Sequence, residues 1–319
     1  MLSNELISGI FDATAWATEE AIVTAMVAAE TMTGADNRRV ERLPHDRLRD
    51  ALRKFNRLTP SSGCQGTGPA PTASYAEMVT VSVLVPAFNE AARLPRTLQA
   101  VRQAMEAFHA RGWTTELVVC DNNSTDQTAA LARAAGATVV FEPINQIARA
   151  RNRAAAAATG TWLVFVDADS TPSRALFDDV ATLIAEGRVL AGGATVTMDD
   201  RRWSARAMVG LWNWTSRLTR WAAGAFIFVE AGAFRASGGF DERLYASEEI
   251  ALFRRLKRIA RQRGRTVRIL RRHPLLTSAR KLELYTTTEM AAFMFRTVVT
   301  GGRTLRRPDQ CFVWYDGRR

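Results

Sequence analysis

Residues Trp162 to Pro172 read W-L-V-F-V-D-A-D-S-T-P, an apolar run ending in two aspartates, Asp167 and Asp169, where the backbone is expected to leave the core. Trp162 to Val166 carry no polar interruption, the composition of a strand buried on both faces. Carboxylates at i and i+2 point the same way if extended geometry persists, and two hard oxygen donors so placed suit a divalent cation carrying a phosphorylated substrate. The competing reading is a helix cap, because Asp169, Ser170 and Thr171 stand before Pro172, a favourable first helical residue.

Two earlier apolar runs end in a similar way. After Val85 comes P-A-F-N-E (Pro86 to Glu90), and after Cys120 comes D-N-N-S-T-D (Asp121 to Asp126). An aspartate at a strand end can accept an N–H from a base edge, and turn amides beside a helix N-terminus can approach sugar or phosphate. Each also has a structural alternative: Asn89 and Glu90 can cap a helix, and Ser124-Thr125-Asp126 before Gln127 has the form of an N-cap. Three such ends in consecutive units favour one nucleotide site over three unrelated caps.

The elements that must position these residues alternate. The patterning predicts strands over Val79 to Val85, Glu116 to Cys120, Thr138 to Phe141 and Trp162 to Val166. It predicts helices over Leu94 to Ala110, Thr125 to Ala135 and Ile147 to Thr159. This order argues for an α/β domain with a largely parallel sheet, its functional residues at the strand carboxyl ends. Residues 61–77, rich in Gly, Ser, Pro and Thr, read as a flexible linker that separates residues 1–60 from a domain over 78–319. Before the linker, Ala13 to Met32 reads as a helix ending at Gly34, Arg38 to Leu43 as a short strand and Asp46 to Leu58 as a basic helix.

Composition narrows the classes. At 319 residues and 47% hydrophobic the chain can bury a sizeable core. Cys64, Cys120 and Cys311 are far apart and fit neither a disulfide framework nor a zinc site, which suits a reducing cytoplasm. The start lacks a basic segment before its apolar residues, so export is not expected. Ala207 to Val229, the longest apolar stretch, is broken by Arg217 and Arg220, so no spanning helix is expected. The net charge of +11 is uneven: residues 201–319 hold 25 Lys/Arg against 9 Asp/Glu, and residues 1–200 hold 18 against 23. The basic half suits a phosphorylated substrate or an acidic membrane face, or is simply a solvated surface. Nucleic acid is not expected, since no zinc-finger spacing, RNP-type motif or helix-turn-helix is present. Trp203, Trp212, Trp214 and Trp221 fit helical core packing, stacking on an acceptor sugar, or a peripheral membrane contact.

V-S-V-L-V-P-A-F-N-E, L-V-V-C-D-N-N-S-T-D-Q-T, A-R-A-R-N-R and S-G-G-F-D-E-R-L-Y-A-S-E-E resemble, in order and spacing over about residues 79–281, the family 2 glycosyltransferases. The resemblance implies a GT-A fold and inverting transfer of a sugar from a UDP- or GDP-linked donor to an acceptor hydroxyl on a glycan, lipid or small molecule. It implies that Pro86, Phe88 and Glu90 line the nucleoside pocket, that Asp121 holds the base, and that Asn152, with Arg149 or Arg151, helps hold the donor. Asp169 becomes the principal ligand of Mn2+ or Mg2+, and Asp167 sits by ribose and metal. Gly239, Phe240 and Asp241 resemble the acceptor-side loop, whose glycines let backbone approach sugar. Inversion needs a base opposite the leaving group. Glu249 is that base and Glu248 its rival, with a Glu where the family usually has Asp; the structural alternative is a helix start at Ser247, running to Ile259. Arg280 and Lys281 fall in a segment that in some members closes over the diphosphate; the nearby His273 is read as structural.

A-T-E-E-A-I-V-T-A-M-V-A-A-E-T-M-T-G-A-D followed by L-P-H-D-R-L, about residues 5–58, resembles the carboxyl end of the L-aminopeptidase/D-esterase family, whose nucleophile would lie upstream. It is read as a small, mostly helical remnant of a gene fusion or a mis-assigned start, with no peptidase activity. The competing functions are a nucleotidyltransferase, which would want a Gly-rich basic loop where P-A-F-N-E stands, and a catalytically silent binder of sugar nucleotides or membrane surfaces.

Overall fold

The computed structural model describes residues 79–198, 222–278 and 303–311, positions 210, 213, 216 and 219, and the pairs 32–33 and 39–40. The chain divides into two units, Met1–Ala73 and Ser74–Arg319. In the first, β1 (Met32–Thr33) pairs antiparallel with β2 (Arg39–Val40). Met32, expected to end a helix, is therefore in a strand, while β2 lies inside the strand expected there. The rest of residues 1–60 and the linker fall outside the described residues.

The second unit runs β3 (Thr80–Ala87), α1 (Leu94–His109), β4 (Thr114–Asp121), α2 (Thr128–Ala134), β5 (Thr138–Phe141), α3 (Ile147–Ala157) and β6 (Trp162–Val166). It continues through β7 (Ser170–Thr171), α4 (Arg174–Ala185), β8 (Val189–Met198), β9 (Phe226–Glu230), α5 (Ala231–Ala236), α6 (Glu248–Gln262) and β10 (Thr266–Thr277). Eight strands form one sheet in the order β5-β4-β3-β6-β9-β8-β10-β7. Only β9 and β7 run against the others, so the sheet is mostly parallel, as the alternation predicts.

The two faces of the sheet carry separate cores. Val81, Val83 and Val85 of β3 meet α1 and α4 through Leu98, Phe108 and Phe177. Leu84 and Phe165 point the other way, onto Ala150 and Ala154 of α3, Phe234 of α5 and Phe253 of α6. Alternation along β3 thus commits neighbouring residues to opposite layers, the requirement for a doubly covered strand. Phe165 is fully buried, and losing its ring would cost about 3–5 kcal/mol. The small Ala148, Ala150 and Ala154 on the buried face of α3 allow that helix to lie close to the sheet.

Strands β8 and β9 had no clear sequence signal. A Cβ on Gly192 would stand 2.3 Å from Arg268 O, and one on Gly193 2.3 Å from the Ala222 Cβ, so close packing demands glycine inside β8. Phe226–Glu230 falls at the end of the apolar stretch weighed as a membrane span, yet it is a sheet strand. Among the described residues no helix is long and apolar enough to cross a membrane.

Candidate functional site

Register brings the strand ends together. Ala87 lies beside Asp121, Asp121 beside Phe141, and Leu84 beside Phe165, so Pro86, Asp121 and Asp167 emerge at one edge of the sheet. Asp121 and Glu90 are buried; Pro86, Phe88, Asp167 and Asp169 are half-buried. The first two loops are laced to each other. Asn89 N–H donates to Ser124 Oγ (2.9 Å), Thr125 N–H to Asn89 Oδ1 (2.7 Å), Ala91 N–H to Asp126 Oδ2 (3.0 Å) and Glu90 N–H to Thr128 Oγ1 (2.9 Å). Asp121 Oδ1 accepts Ser124 N–H at 3.1 Å, which fixes the orientation of its carboxylate. Asp126 accepts the N–H and hydroxyl of Thr128, but α2 starts at Thr128 behind Gln127, which makes no side-chain cap, so the N-cap expected of S-T-D, with an acid in the first turn, is not formed. Burial opposes the Asp126 charge, but these donors hold its pKa below the ordinary value.

The third end differs from the extended geometry expected. Beyond Val166 the chain turns: Asp167 N–H donates to Ala225 O (3.1 Å) and Ser170 N–H returns to Asp167 O (3.1 Å). The two aspartates therefore sit on a turn, not on continuous strand. Neither caps α4. That cap is Ser173, whose Oγ accepts Leu176 N–H at 3.1 Å. Directly after the turn, β7 pairs with the end of β10, with Ser170 Oγ 3.0 Å from Thr277 Oγ1. Arg280 and Lys281 follow this strand and lie outside the described residues.

The glutamate pair opens α6 behind Ser247, whose φ is 63° and whose side chain makes no cap. The expected helix start is thus observed, and it separates the two carboxylates. Glu248 is buried and Glu249 half-buried. Arg151 Nη1 donates to Glu248 Oε1 (2.6 Å), and Arg151 Nη2 donates to Asp167 Oδ1 (3.0 Å) and Gly224 O (2.8 Å). Its guanidinium also lies over the Phe240 ring, 5.2 Å from the centroid. Burial works against the Arg151 charge, but Asp167, Glu248 and Glu249 outweigh it and raise its pKa. Burial, reinforced by the Glu248 charge and opposed by Arg151, pushes Glu249 up to about 8.

The 238–242 loop differs from its expected part. Gly238 and Gly239 have φ of +78° and +67°, and a Cβ on Gly239 would lie 2.7 Å from Asn152 Oδ1. The close approach that demands glycine is to this side chain. Asn152 Oδ1 accepts Phe240 N–H (2.9 Å), and its Nδ2 donates to Phe240 O (2.9 Å) and Glu242 Oε1 (3.0 Å). The amide expected to hold the donor is thus engaged by the loop. Phe240 is 2% exposed and meets Phe165 edge-on at 5.2 Å, so its ring belongs to the core and does not face an acceptor. Asp241 grips Arg243 with both oxygens, and that guanidinium lowers its pKa to about 2.

Sequence reasoning missed how much of α3 serves this loop. Gln146 Nε2 donates to Glu242 O (2.7 Å) and Leu244 O (3.0 Å), Arg149 bridges Glu142 and Glu242, and Arg255 of α6 donates to Gly239 O. From the far end of the chain, Leu305 O accepts Tyr245 N–H at 2.7 Å. The available signal was the helical spacing of Gln146, Arg149 and Asn152, which share one side of the helix, whereas Arg151 lies on the buried face with Ala148, Ala150 and Ala154. Among the described residues, the non-glycine positions with positive φ are Asn89, Asn123 and Ser247, all in these loops.

Comparison with known proteins bears out both resemblances. Residues 82–235 match Glycosyl transferase family 2 and residues 1–40 match Peptidase family S58. An uncharacterized glycosyltransferase of Mycobacterium bovis is 34% identical over 139 residues, 43% of this chain and 55% of that protein. Beta-peptidyl aminopeptidase BapA of Sphingosinicella microcystinivorans is 46% identical over 57 residues, 18% of this chain and 14% of that protein. The chain thus spans about half the length of the curated glycosyltransferase it matches and a small part of the peptidase. The crystal structure of S. aureus TarS 1–349 superposes with a TM-score of 0.50 at 20% identity, over 63% of this chain and 61% of that one. The fold is GT-A.

Proposed function

We propose that the chain is an inverting, metal-dependent glycosyltransferase that moves a sugar from a UDP- or GDP-linked donor to an acceptor hydroxyl, with Glu249 as the base. The observation that carries this reading is the junction at Arg151: a carboxylate turn at the end of β6 and a glutamate pair opening α6 share one buried guanidinium. Two acidic groups with different environments at one sheet edge suit one to the leaving side and one to the attacking side.

In this reading Pro86, Phe88 and Glu90 wall the nucleoside, and Asp121, oriented by Ser124, accepts an N–H from the base. Among the described residues no group of three or more His, Cys, Asp or Glu could hold a metal, so Asp169 and Asp167 are the residues that would hold the cation, with two hard oxygen donors on one turn. Mn2+ or Mg2+ held there would offset the charge that grows on the departing diphosphate. Arg280 and Lys281 add phosphate contacts. The acceptor oxygen attacks the anomeric carbon as the bond to the diphosphate breaks, and the hydroxyl proton passes to Glu249. Glu248, paired with Arg151, is the less suitable base. Asn152, Gln146 and Arg149 hold the 238–248 segment in place. Asp241, half-buried beside Arg243, is the loop residue best suited to meet the acceptor.

Residues 248–278 hold ten Lys/Arg against Glu248 and Glu249 alone, which favours an anionic acceptor environment and peripheral attachment to the acidic inner face of a membrane from the cytoplasm. The N-terminal segment is read as a small appendage without peptidase chemistry. A panel of nucleotide sugars with Mn2+, followed by thermal shift and by released nucleotide diphosphate, tests the donor site. Stabilisation and turnover with one donor are expected; no stabilisation by any nucleotide sinks the reading. Stabilisation without turnover across an acceptor panel would favour the silent binder.

A further inference from the structure

Arg151 is more than a counter-charge. It is 3% exposed, and its two terminal nitrogens reach two carboxylates that belong to different halves of the proposed reaction: Asp167 at the donor turn and Glu248 beside the base. Its Nε is buried with no hydrogen-bond partner, so the side chain is placed for the span between those carboxylates and not for full satisfaction of its own donors. A residue that merely neutralised Glu248 would need neither Asp167 nor the Gly224 carbonyl. One that gripped donor phosphate would not be closed in on Phe240.

We propose that Arg151 is a positioning residue that shares Asp167 with the donor's cation and so couples occupation of the Asp167–Asp169 turn to the placement of Glu249. This rests on the donor-site reading above. The physical argument is competition. A guanidinium at 3.0 Å and a divalent cation both draw on the Asp167 carboxylate and repel each other, so a cation arriving there weakens the Arg151–Asp167 contact. Glu248 then becomes the stronger partner of Arg151, which seats the first turn of α6. Two effects of opposite sign follow: without Arg151 the cation binds Asp167 more tightly, yet transfer is slower because Glu249 is no longer held. A purely structural arginine would weaken both.

Removing Arg151 alone leaves Glu248 buried and unpaired, which can unfold the protein. The test therefore uses the double variant Arg151→Met/Glu248→Gln, in which the buried Glu248 charge is removed with its partner and only the half-buried Asp167 loses a counter-charge, together with Arg151→Lys. Calorimetric titration of Mn2+ in the presence of UDP, and separately GDP, reads the cation. Unfolding temperature checks the fold, and kcat and KM are measured with the donor that the panel identifies. For the double variant, Mn2+ affinity should rise by at least about threefold while kcat falls on the order of 100-fold and donor KM stays within about threefold. Arg151→Lys, which keeps the charge but cannot fork to two carboxylates, should return Mn2+ affinity to near the wild-type value and leave kcat at least about tenfold low. Mn2+ affinity that falls together with kcat, or a folded double variant with wild-type kcat, overturns the coupling. If the wild-type protein binds no Mn2+ with either nucleotide, the donor site itself fails and the coupling with it; wild-type binding followed by changes of the wrong sign removes the coupling alone.

Discussion

Asn152 holds both peptide groups of Phe240, accepting the N–H at Oδ1 and donating from Nδ2 to the carbonyl, each at 2.9 Å. One amide on α3 therefore fixes the backbone of a loop that lies far away in sequence and leads to Glu248 and Glu249. Asn152→Asp keeps the acceptor but turns the other oxygen toward the Phe240 carbonyl and the Glu242 carboxylate. It should cost about 2–3 kcal/mol in denaturant unfolding, and acceptor KM should rise more than donor KM. An unchanged unfolding midpoint would refute the clamp.

Glu249→Gln should retain nucleotide binding and lose transfer by roughly 100-fold or more, the range expected for removal of a general base. With the Glu249 pKa near 8, the wild-type rate should rise with pH up to and through that value. Stability runs the other way. The folded protein keeps a proton on Glu249 that the unfolded chain loses at the ordinary carboxylate value, so the native state binds more protons across that window and stability falls as pH rises toward 8. Thermal unfolding at several pH values should show this slope in the wild-type protein and a flatter one in Glu249→Gln.

Asp169→Asn and Ser173→Ala separate the metal and capping readings of D-A-D-S-T-P. Ser173→Ala should lower stability by about 1 kcal/mol and leave nucleotide binding intact, because Ser173 is the observed cap of α4. Asp169→Asn should abolish the Mn2+-dependent part of nucleotide binding, measured by titration with and without the metal. Metal-dependent binding that survives Asp169→Asn would remove that residue from the cation site.

Arg254, Arg258 and Arg261 form an exposed stripe on α6. Each basic residue at an anionic surface contributes about 1 kcal/mol, so reversing all three to Glu should weaken sedimentation with phosphatidylglycerol vesicles by well over tenfold. Neutral phosphatidylcholine vesicles should bind neither protein, and salt should release the wild type. Equal binding to both vesicle types would argue against an electrostatic attachment.

What could be read in the sequence depended on the distance over which each feature is determined. Trp162–Val166 and Thr138–Phe141 coincide with their expected bounds because an apolar run between turn residues is a local signal. Placement of three polar strand ends at one edge followed from the βα alternation. The Arg151 junction did not, because its partners come from β6 and α6 and no pattern in A-R-A-R-N-R names them. The buried position of Phe240 is not legible for a related reason: motif spacing locates a loop but does not say which side chains turn inward, and packing against Phe165 decides that. Strand β8 was obscured by the glycines its neighbours require.

Ser247 and its two left-handed companions, Asn89 and Asn123, bear on how this protein could be engineered. Glycine at position 247 would relieve an unfavourable backbone conformation, typically about 1 kcal/mol, and a screen for heat resistance would select it early. The same change loosens the backbone immediately before Glu248, so thermostability gained there would come with a looser placement of the base proposed at Glu249. Selection for robustness alone would then steer this chain away from catalysis, and a useful library would hold residues 89, 123 and 247 constant.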